Sequence, residues 1–174
     1  VMDEVSLALQ YHVVKQTELD LGAAFVPPIG WNVLRHFVED LKRVGRKAGA
    51  GFYEYPAGGR KFLWPDLAHE YPLAARQPSL ESVKQRLLYV QALESARCLQ
   101  EGVLTCAADG DLGSILGWGF PSYTGGALSL IDQVGIARFV GECRRLADLY
   151  GARFEPTDDL VARASRERGM HAAA

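Results

Sequence analysis

Hydrophobic residues recur along most of the chain at helical spacing, and they predict a series of helices that glycine and proline separate. The first predicted helix covers residues 4–21 and ends at Gly22, and the second covers 29–44. Residues 79–101 have the widest apolar face, so we expect a central, mostly buried helix there, capped by Ser79. Shorter helices are predicted over 107–116, 127–134, 136–150 and 157–168. The pattern therefore predicts an all-α fold.

Residues 45–56 interrupt the helical pattern with three glycines, two cations and an alternating aromatic run that Pro56 closes. A phosphate-binding loop would need a helix to begin at its end, whereas an extended run follows here. We interpret the stretch as a helix end, a glycine bend and an extended strap. If Gly51 has a positive φ, we expect Gly51→Val to cost about 1–3 kcal/mol.

The proline-rich segment 57–78 forbids a long regular element. Its apolar residues predict that it packs against a neighbouring surface, and they are Trp64, Leu67 and Tyr71.

Composition narrows the class of protein. The 174 residues have a net charge of −2, which gives no general attraction for nucleic acid or an anionic membrane. No apolar run approaches the roughly 18 residues of a transmembrane helix. Three cysteines without a CxxC pair predict free thiols and a cytoplasmic location.

An internal repeat appears when the chain is shifted by 129 residues. Asp3 then aligns with Asp132, Gly22 with Gly151, and the helical stripes of both segments coincide. The second copy has about fifty residues before Asp132, including the long helix, whereas the first has two before Asp3. We therefore expect two related units, of which the first lacks its N-terminal half and leaves an apolar face uncovered.

Two motifs resemble a known family. Residues 45–55, and residues 97–102 together with 117–128, resemble the C-terminal helical domains of the 3-hydroxyacyl-CoA dehydrogenases, as in the alpha subunit of the multifunctional fatty-acid oxidation complex. The residues that carry this signature are Gly45, Arg46, Lys47, Gly49, Gly51, Phe52, Tyr53, Gly119, Pro121, Gly125 and Gly126, with Asp3 and Asp132 as the repeat-related pair.

The resemblance implies a particular domain organisation. It implies two tandem helical units of the 6-phosphogluconate-dehydrogenase C-terminal type. Residues 1–56 would form the C-terminal half of the first, 57–78 a packed linker and 79–174 the second.

The resemblance also implies an activity, the NAD-dependent oxidation of 3-hydroxyacyl-CoA to 3-oxoacyl-CoA in β-oxidation. In the family, NAD and the catalytic histidine belong to an upstream Rossmann domain, beside an enoyl-CoA hydratase. This chain would then supply domain packing and part of the substrate cleft. It would hold no catalytic, cofactor-binding or metal-binding residue and would be inactive alone.

The implied partners are the acyl-CoA substrate, the upstream domains and a thiolase subunit. The uncovered face of the first unit predicts self-association. The alternative is a stand-alone helical dimerisation or interaction module without catalysis.

The glycine-punctuated aromatic turn at 117–126 is the best candidate for substrate contact, because its glycines allow close approach and its aromatic rings offer apolar surface. The expected lining residues are Leu116, Trp118, Phe120 and Tyr123. Some relatives have a tyrosine at the position of Leu116, and leucine supplies apolar contact but no hydroxyl.

The remaining polar candidates have plainer interpretations. Asp109 and Asp111 resemble only the start of a calcium loop, because the later acidic ligands are missing. Glu94 and Arg97 favour a surface or repeat-interface ion pair. Asp3 and Asp132 favour capping or interdomain hydrogen bonds, with substrate contact as the alternative. The scattered histidines favour structural or solvated roles, and they are His12, His36, His69 and His171.

Overall fold

The computed structural model describes residues 1–172. It is mostly helical, with one small two-stranded sheet, so the prediction of a predominantly α fold is confirmed. The chain divides into two compact units, Val1–Gln77 and Pro78–Ala174. We describe each unit by itself.

The first helical prediction, 4–21, corresponds to two helices in unit 1. Helix α1 covers Met2–Val5 and α2 covers Leu7–Leu21, and they are separated by Ser6 at φ 133°. The break is stabilised locally, because the Ser6 hydroxyl accepts from the Leu9 N–H at 3.3 Å. The N–H of Leu7 donates to the Val44 carbonyl at 3.0 Å. The break therefore ties the start of α2 to a distant part of the chain.

The second helical prediction, 29–44, is shorter in the structure. Helix α3 covers Trp31–Arg35 and continues as a π-helical turn over His36–Asp40. Lys42 then takes a positive φ of 56°, which ends the helix before the glycine stretch.

The segment between the glycine stretch and Gln77 contains short regular elements. Strand β1, Tyr53–Glu54, pairs antiparallel with β2, Phe62–Leu63, with Tyr53 opposite Leu63. Helix α4 covers Leu67–Glu70. Three of its apolar side chains contact the unit 1 core, and these are Trp64, Leu67 and Tyr71.

The core of unit 1 is small. Its buried members are Leu7, Leu34 and Phe37, and half-buried aromatic rings surround them. The Phe37 ring lies 4.3 Å from Phe52 and 5.9 Å from Trp64, measured between centroids. The extended aromatic residues 52–55, which we call the aromatic strap, and the β1–β2 hairpin therefore supply much of the apolar surface that covers α2 and α3.

Unit 2 is a helical bundle, and its longest helix lies where it was predicted. The expectation that this helix is mostly buried is wrong, because only five of its 21 residues are buried, and Leu80 and Leu87 of its apolar stripe are 67% and 58% exposed. Helix α5 covers Leu80–Gln100, and the Ser79 hydroxyl accepts from the Ser82 N–H at its start. The other helices are α6, Ala107–Trp118; α7, Ala127–Val134; α8, Ile136–Tyr150; and α9, Asp158–Ser165. Apolar residues of α5, α7 and α8 form most of a core that includes Leu93, Ile131, Phe139, Cys143 and Leu146.

Across residues 1–172, none of the helices combines the length and the apolar character that crossing a membrane requires.

Candidate functional site

Asp3 is the buried carboxylate of unit 1, with only 5% of its surface exposed. Its Oδ2 accepts from the Tyr53 N–H at 2.9 Å and from the Tyr55 hydroxyl at 3.3 Å. Burial raises the pKa of Tyr55, and the neighbouring Asp3 charge raises it further. The Asp3 carboxylate therefore holds the aromatic strap against α1.

Gly51 lies directly against this carboxylate. A Cβ at Gly51 would lie 2.5 Å from Asp3 Cγ and 2.8 Å from Oδ1, which is far below normal contact. The φ of Gly51 is not positive, so the condition attached to the Gly51→Val prediction is not met. A side chain is excluded here by lack of space. The glycines of this stretch with a positive φ are Gly45 at 115° and Gly49 at 77°, and a Cβ at Gly45 would also lie 2.7 Å from the Asp3 carbonyl oxygen.

Arg43 holds the other side of the strap. Its guanidinium donates to the Gly51 carbonyl at 2.8 Å and to Glu54 Oε1 at 2.8 Å. It also stacks over the Trp64 ring at 4.3 Å. In contrast, Arg46 and Lys47 lie exposed in the 3₁₀ turn Arg46–Ala48. The cation that organises the glycine stretch is therefore Arg43.

Unit 2 contains the same arrangement around Asp132. Asp132 Oδ1 accepts from the Met170 N–H at 2.6 Å, and Oδ2 accepts from the His171 N–H at 3.2 Å. A Cβ at Gly169 would lie 2.9 Å from Asp132 Oδ1. Arg163 donates to the Gly169 carbonyl at 3.0 Å, as Arg43 does to Gly51.

Each unit thus has an aspartate beside a glycine, the N–H group two residues further on as donor, and an arginine on the glycine carbonyl. We call this arrangement the aspartate–glycine clasp. The aspartates are 129 positions apart, but the glycines are only 118 apart. An ungapped comparison therefore finds the aspartates and misses the glycines.

A second buried carboxylate fixes the aromatic turn of unit 2. Asp111, on α6, accepts from the N–H groups of Leu128 at 2.7 Å and Ser129 at 3.0 Å, and from the Ser129 hydroxyl at 2.5 Å. Asp111 therefore caps the N-terminus of α7, although it lies seventeen residues before Leu128 in the chain. Gly126, at φ 125°, leaves room for this carboxylate, because a Cβ there would lie 2.5 Å from Asp111 Cα. The turn is therefore held rigidly onto α6.

The structure places the four expected lining residues in different environments. Phe120 is 2% exposed and belongs to the unit 2 core. Leu116, Trp118 and Tyr123 are 75%, 56% and 80% exposed. Phe120 therefore packs the core in this structure, and the other three are presented on the surface.

Trp118 lines an open groove of about 610 Å³ between α5 and α6. Its indole N–H donates to Gln91 Oε1 at 3.0 Å. Three glycines of α6 line the groove, namely Gly110, Gly113 and Gly117, and a Cβ at Gly113 or Gly117 would meet no atom within 4 Å. Leu116 is not among the lining residues, and Tyr123 lines a separate depression near the start of α5. The structure thus brings only Trp118 of the four to this groove.

Two of the four histidines lie between pairs of carboxylates. His36 Nδ1 is 2.7 Å from Asp40 Oδ2, and Nε2 is 3.1 Å from Glu70 Oε2. These two hydrogen bonds, led by that to Asp40, raise the pKa of His36. His171 has the equivalent environment in unit 2, as described below. His12 and His69 lie exposed on their helices.

The remaining polar candidates take structural positions. Glu94 and Arg97 form the predicted ion pair on the surface of α5. Asp109 lies 3.5 Å from the Thr105 hydroxyl, and its neighbour Asp111 is committed to the α7 cap. Within residues 1–172, no three histidine, cysteine or acidic side chains are grouped so that they could hold a metal ion.

All three cysteines are free thiols. Burial raises the pKa of Cys143 to about 12, with the Glu142 charge adding to the effect. Cys143 therefore remains a neutral thiol that packs the core, whereas Cys106 is exposed.

Sequence reasoning misses three residues that organise these sites. The local pattern does not single out Arg43, gives Asp111 only a resemblance to the start of a calcium loop, and leaves His171 as an isolated histidine. A repeat comparison that allows a gap aligns Gly169 and His171 with Gly51 and Tyr53. Asp111, in contrast, contacts residues far along the chain and leaves no local signal.

No family model matches the chain.

Proposed function

We propose that this chain is the C-terminal helical region of a multifunctional NAD-dependent 3-hydroxyacyl-CoA dehydrogenase. The two units are tandem copies of one helical domain of the 6-phosphogluconate-dehydrogenase C-terminal type, and the first copy lacks its N-terminal half. The chain packs this repeat and walls part of the acyl-CoA cleft, while NAD and the catalytic histidine belong to a Rossmann domain.

The observation that carries this proposal is the aspartate–glycine clasp. In both units an aspartate at the same repeat position binds the backbone two residues after a glycine. In both, an arginine binds the carbonyl of that glycine. Such a long-range arrangement is what two copies of one ancestral unit would retain. In unit 1, the clasp also includes Gly51 and Tyr53 of the glycine–aromatic signature on which the family resemblance depends.

The incomplete first copy is supported by the faces of the repeat-related helices. In unit 2, α5 packs on α7, its Tyr89 ring lies 4.6 Å from the Phe139 ring of α8, and Ile131 and Cys143 are fully buried. Their counterparts in unit 1 by the 129-residue shift are Met2 and Val14. Both line an open groove of about 420 Å³, and Met2 is 43% exposed. Unit 1 has no equivalent of α5 over this face among its described residues.

Surface apolar groups near the aromatic turn support a contribution to the substrate cleft. Trp118, Leu116 and Tyr123 are all exposed and lie within eight residues of chain, and exposed apolar surface that is grouped in this way is typical of ligand or partner sites. The Asp111 cap fixes the backbone that presents them. We propose that these three side chains contact the acyl-CoA or the domain that binds it.

The test uses the complete polypeptide that the gene encodes. We expect NAD-dependent oxidation of 3-hydroxyacyl-CoA, followed as NADH absorbance, and no turnover by residues 1–174 alone. Trp118→Ala should raise KM more than it lowers kcat, because it removes binding surface but no reacting group. Leu149→Ala, which removes another exposed apolar residue of unit 2, is the matched control and should leave both unchanged.

Three results would contradict the proposal. Turnover by the isolated chain would show that catalytic residues were overlooked. A complete product without any dehydrogenase activity would exclude the enzyme assignment. Equal changes of KM in Trp118→Ala and Leu149→Ala would show that the aromatic turn does not contribute to the substrate cleft.

A second candidate is a stand-alone helical interaction module, and α2 favours it. Only Leu7 of this fifteen-residue helix is buried, whereas Leu9, Val13 and Leu19 are more than half exposed. We expect the isolated chain to self-associate through this face at micromolar concentration in sedimentation experiments. Val13→Glu should dissociate it, and Leu149→Glu in unit 2 should not. A monomeric wild-type chain would contradict self-association, and dehydrogenase activity of the complete product would decide against the module.

A further inference from the structure

The segment after α9 folds back over unit 2. The chain leaves α9 at Ser165 and reverses at Glu167, which has a φ of 51°. Met170 then enters the core with 4% of its surface exposed, and His171 follows it at the surface. We call residues 166–172 the return segment.

His171 connects the return segment to two helices at once. Its Nδ1 lies 2.8 Å from Asp132 Oδ2 on α7, and its Nε2 lies 2.9 Å from Asp111 Oδ2 on α6. The same Asp132 holds the backbone N–H groups of Met170 and His171. The same Asp111 caps α7 through Leu128 and Ser129. One imidazole therefore joins the return segment, the α7 cap and the aspartate–glycine clasp of unit 2.

Only the cationic ring satisfies this geometry. A neutral imidazole has a proton on one nitrogen and a lone pair on the other. With a carboxylate at each nitrogen, the neutral ring would turn a lone pair toward one of them. Both nitrogens donate when the ring is protonated, and both bonds are then charge-assisted.

We propose that the return segment is a pH-sensitive latch on unit 2, closed by the histidinium form of His171 and released when that ring loses its proton. Release frees the segment from Asp111 and Asp132 and uncovers Met170. It also widens an open cavity of about 710 Å³ whose wall includes Cys106, Arg163, Met170 and His171.

The charges around His171 determine the direction of the response. Asp111 faces it from α6 and Asp132 from α7, whereas Arg163 of α9 is paired with Asp159 at 2.6 Å and also binds the Gly169 carbonyl. The segment itself adds Arg166, Glu167 and Arg168, and the Cys106 thiol lies along the same cavity.

The hydrogen bond to Asp132, reinforced by the Asp111 charge, raises the pKa of His171, although partial burial acts in the opposite direction. A group whose pKa is raised by folding stabilises the folded form below its unfolded pKa, about 6.5 for histidine. This stabilisation is lost as pH rises through the raised value, so the latch is closed under acidic conditions and opens as the pH increases.

Unit 1 supplies an internal comparison. Its clasp uses the Tyr53 N–H and the Tyr55 hydroxyl as donors in place of a histidine ring. The pKa of Tyr55 is raised above the already high value of a tyrosine. The unit 1 clasp therefore keeps its donors over the whole range in which His171 titrates. The pH response belongs to the histidine and not to the clasp as such.

The test is residue-resolved hydrogen exchange of the full chain between about pH 5.5 and 9, corrected for intrinsic exchange, with the His171 pKa measured by NMR. We expect protection of the Met170 and His171 amides to fall as pH rises, by about tenfold for each unit by which the measured pKa exceeds the unfolded value. The Tyr53 amide should show no such step.

Two variants complete the test. His171→Gln should abolish the step, because the amide side chain does not titrate. His36→Gln is the matched control, since His36 also lies between two carboxylates but in unit 1, and it should leave the step intact. A pH-independent protection in the wild-type chain, a His171 pKa at or below 6.5, or the same step in His171→Gln would each overturn the latch.

Discussion

Gly51→Ala is the sharpest test of the aspartate–glycine clasp. The new Cβ would lie 2.5 Å from Asp3 Cγ, whereas carbon atoms in contact prefer about 3.5–4.0 Å. The carboxylate must therefore move by roughly 1 Å, and the 2.9 Å bond from the Tyr53 N–H stretches beyond hydrogen-bond range. The bond from the Tyr55 hydroxyl, at 3.3 Å, is lost with it.

The expected loss of stability follows from these bonds. A hydrogen bond to a charged group contributes about 1.5–3 kcal/mol, and the longer tyrosine bond adds about 0.5–1 kcal/mol. We therefore expect Gly51→Ala to lower the free energy of unfolding of unit 1 by about 2–4 kcal/mol. Because unit 1 has a small core, this is a large fraction of its stability.

The assay is urea unfolding followed by tryptophan fluorescence in a Trp118→Phe background. The chain has three tryptophans, and the two that remain, Trp31 and Trp64, both belong to unit 1. The signal then reports unit 1 alone. Gly49→Ala is the control, because Gly49 has a φ of 77° but no atom within 4 Å of its ideal Cβ. It should cost about 1–2 kcal/mol through the backbone alone.

A double-mutant cycle with Asp3→Ala shows whether Gly51→Ala destabilises unit 1 through contact with the Asp3 carboxylate or through the backbone alone. Once the carboxylate is removed, the Gly51 methyl has space, so Asp3→Ala/Gly51→Ala should be about as stable as Asp3→Ala. The cost of Gly49→Ala should be unaffected by Asp3→Ala. Additive costs for Asp3 and Gly51 would refute the steric explanation.

Three other predictions concern single residues. Asp111→Ala should lower the stability of unit 2 by about 2–4 kcal/mol in thermal unfolding, because α7 loses its cap and its charged acceptor, whereas Asp109→Ala should have little effect. Phe37→Ala should cost about 3–5 kcal/mol in the unit 1 urea transition, since it empties the centre of a small core, and a cost below about 1 kcal/mol would contradict this packing. Cys143, whose pKa is raised to about 12, should react with a thiol reagent far more slowly than exposed Cys106 in the native chain, and comparable rates would show that the unit 2 core opens readily.

Helices were predictable where their apolar stripe was long and regular. The long helix, its serine cap and helices α7 and α8 follow from periodicity, because their buried faces repeat at helical spacing. The errors lie where tertiary contacts override the pattern. Ser6 breaks the first helix because its neighbour Leu7 bonds to Val44, and the helix after Trp31 ends early through a π turn and a left-handed Lys42.

Candidate residues were predictable only where a repeat or signature marked them. Asp3 and Asp132 align when the chain is shifted by 129 residues, but their glycine partners do not, because the spacing between aspartate and glycine differs between the two segments. Of the aromatic turn, Phe120 could not be distinguished from Trp118 by residue type, and it is the packing of α5, α6 and α7 that buries one ring and exposes the other.

The sequence by itself determined the mainly helical class and marked the glycine–aromatic stretch as special, because spacing and composition are local properties of a chain. The tertiary structure decided what these features do. Glycine is required at position 51 because the Asp3 carboxylate leaves no space for a side chain, and not because of a positive φ. Arg43 binds the aromatic strap, and His171 lies between two carboxylates. Those relationships depend on side chains that meet after folding across tens of residues, and no local pattern encodes such meetings.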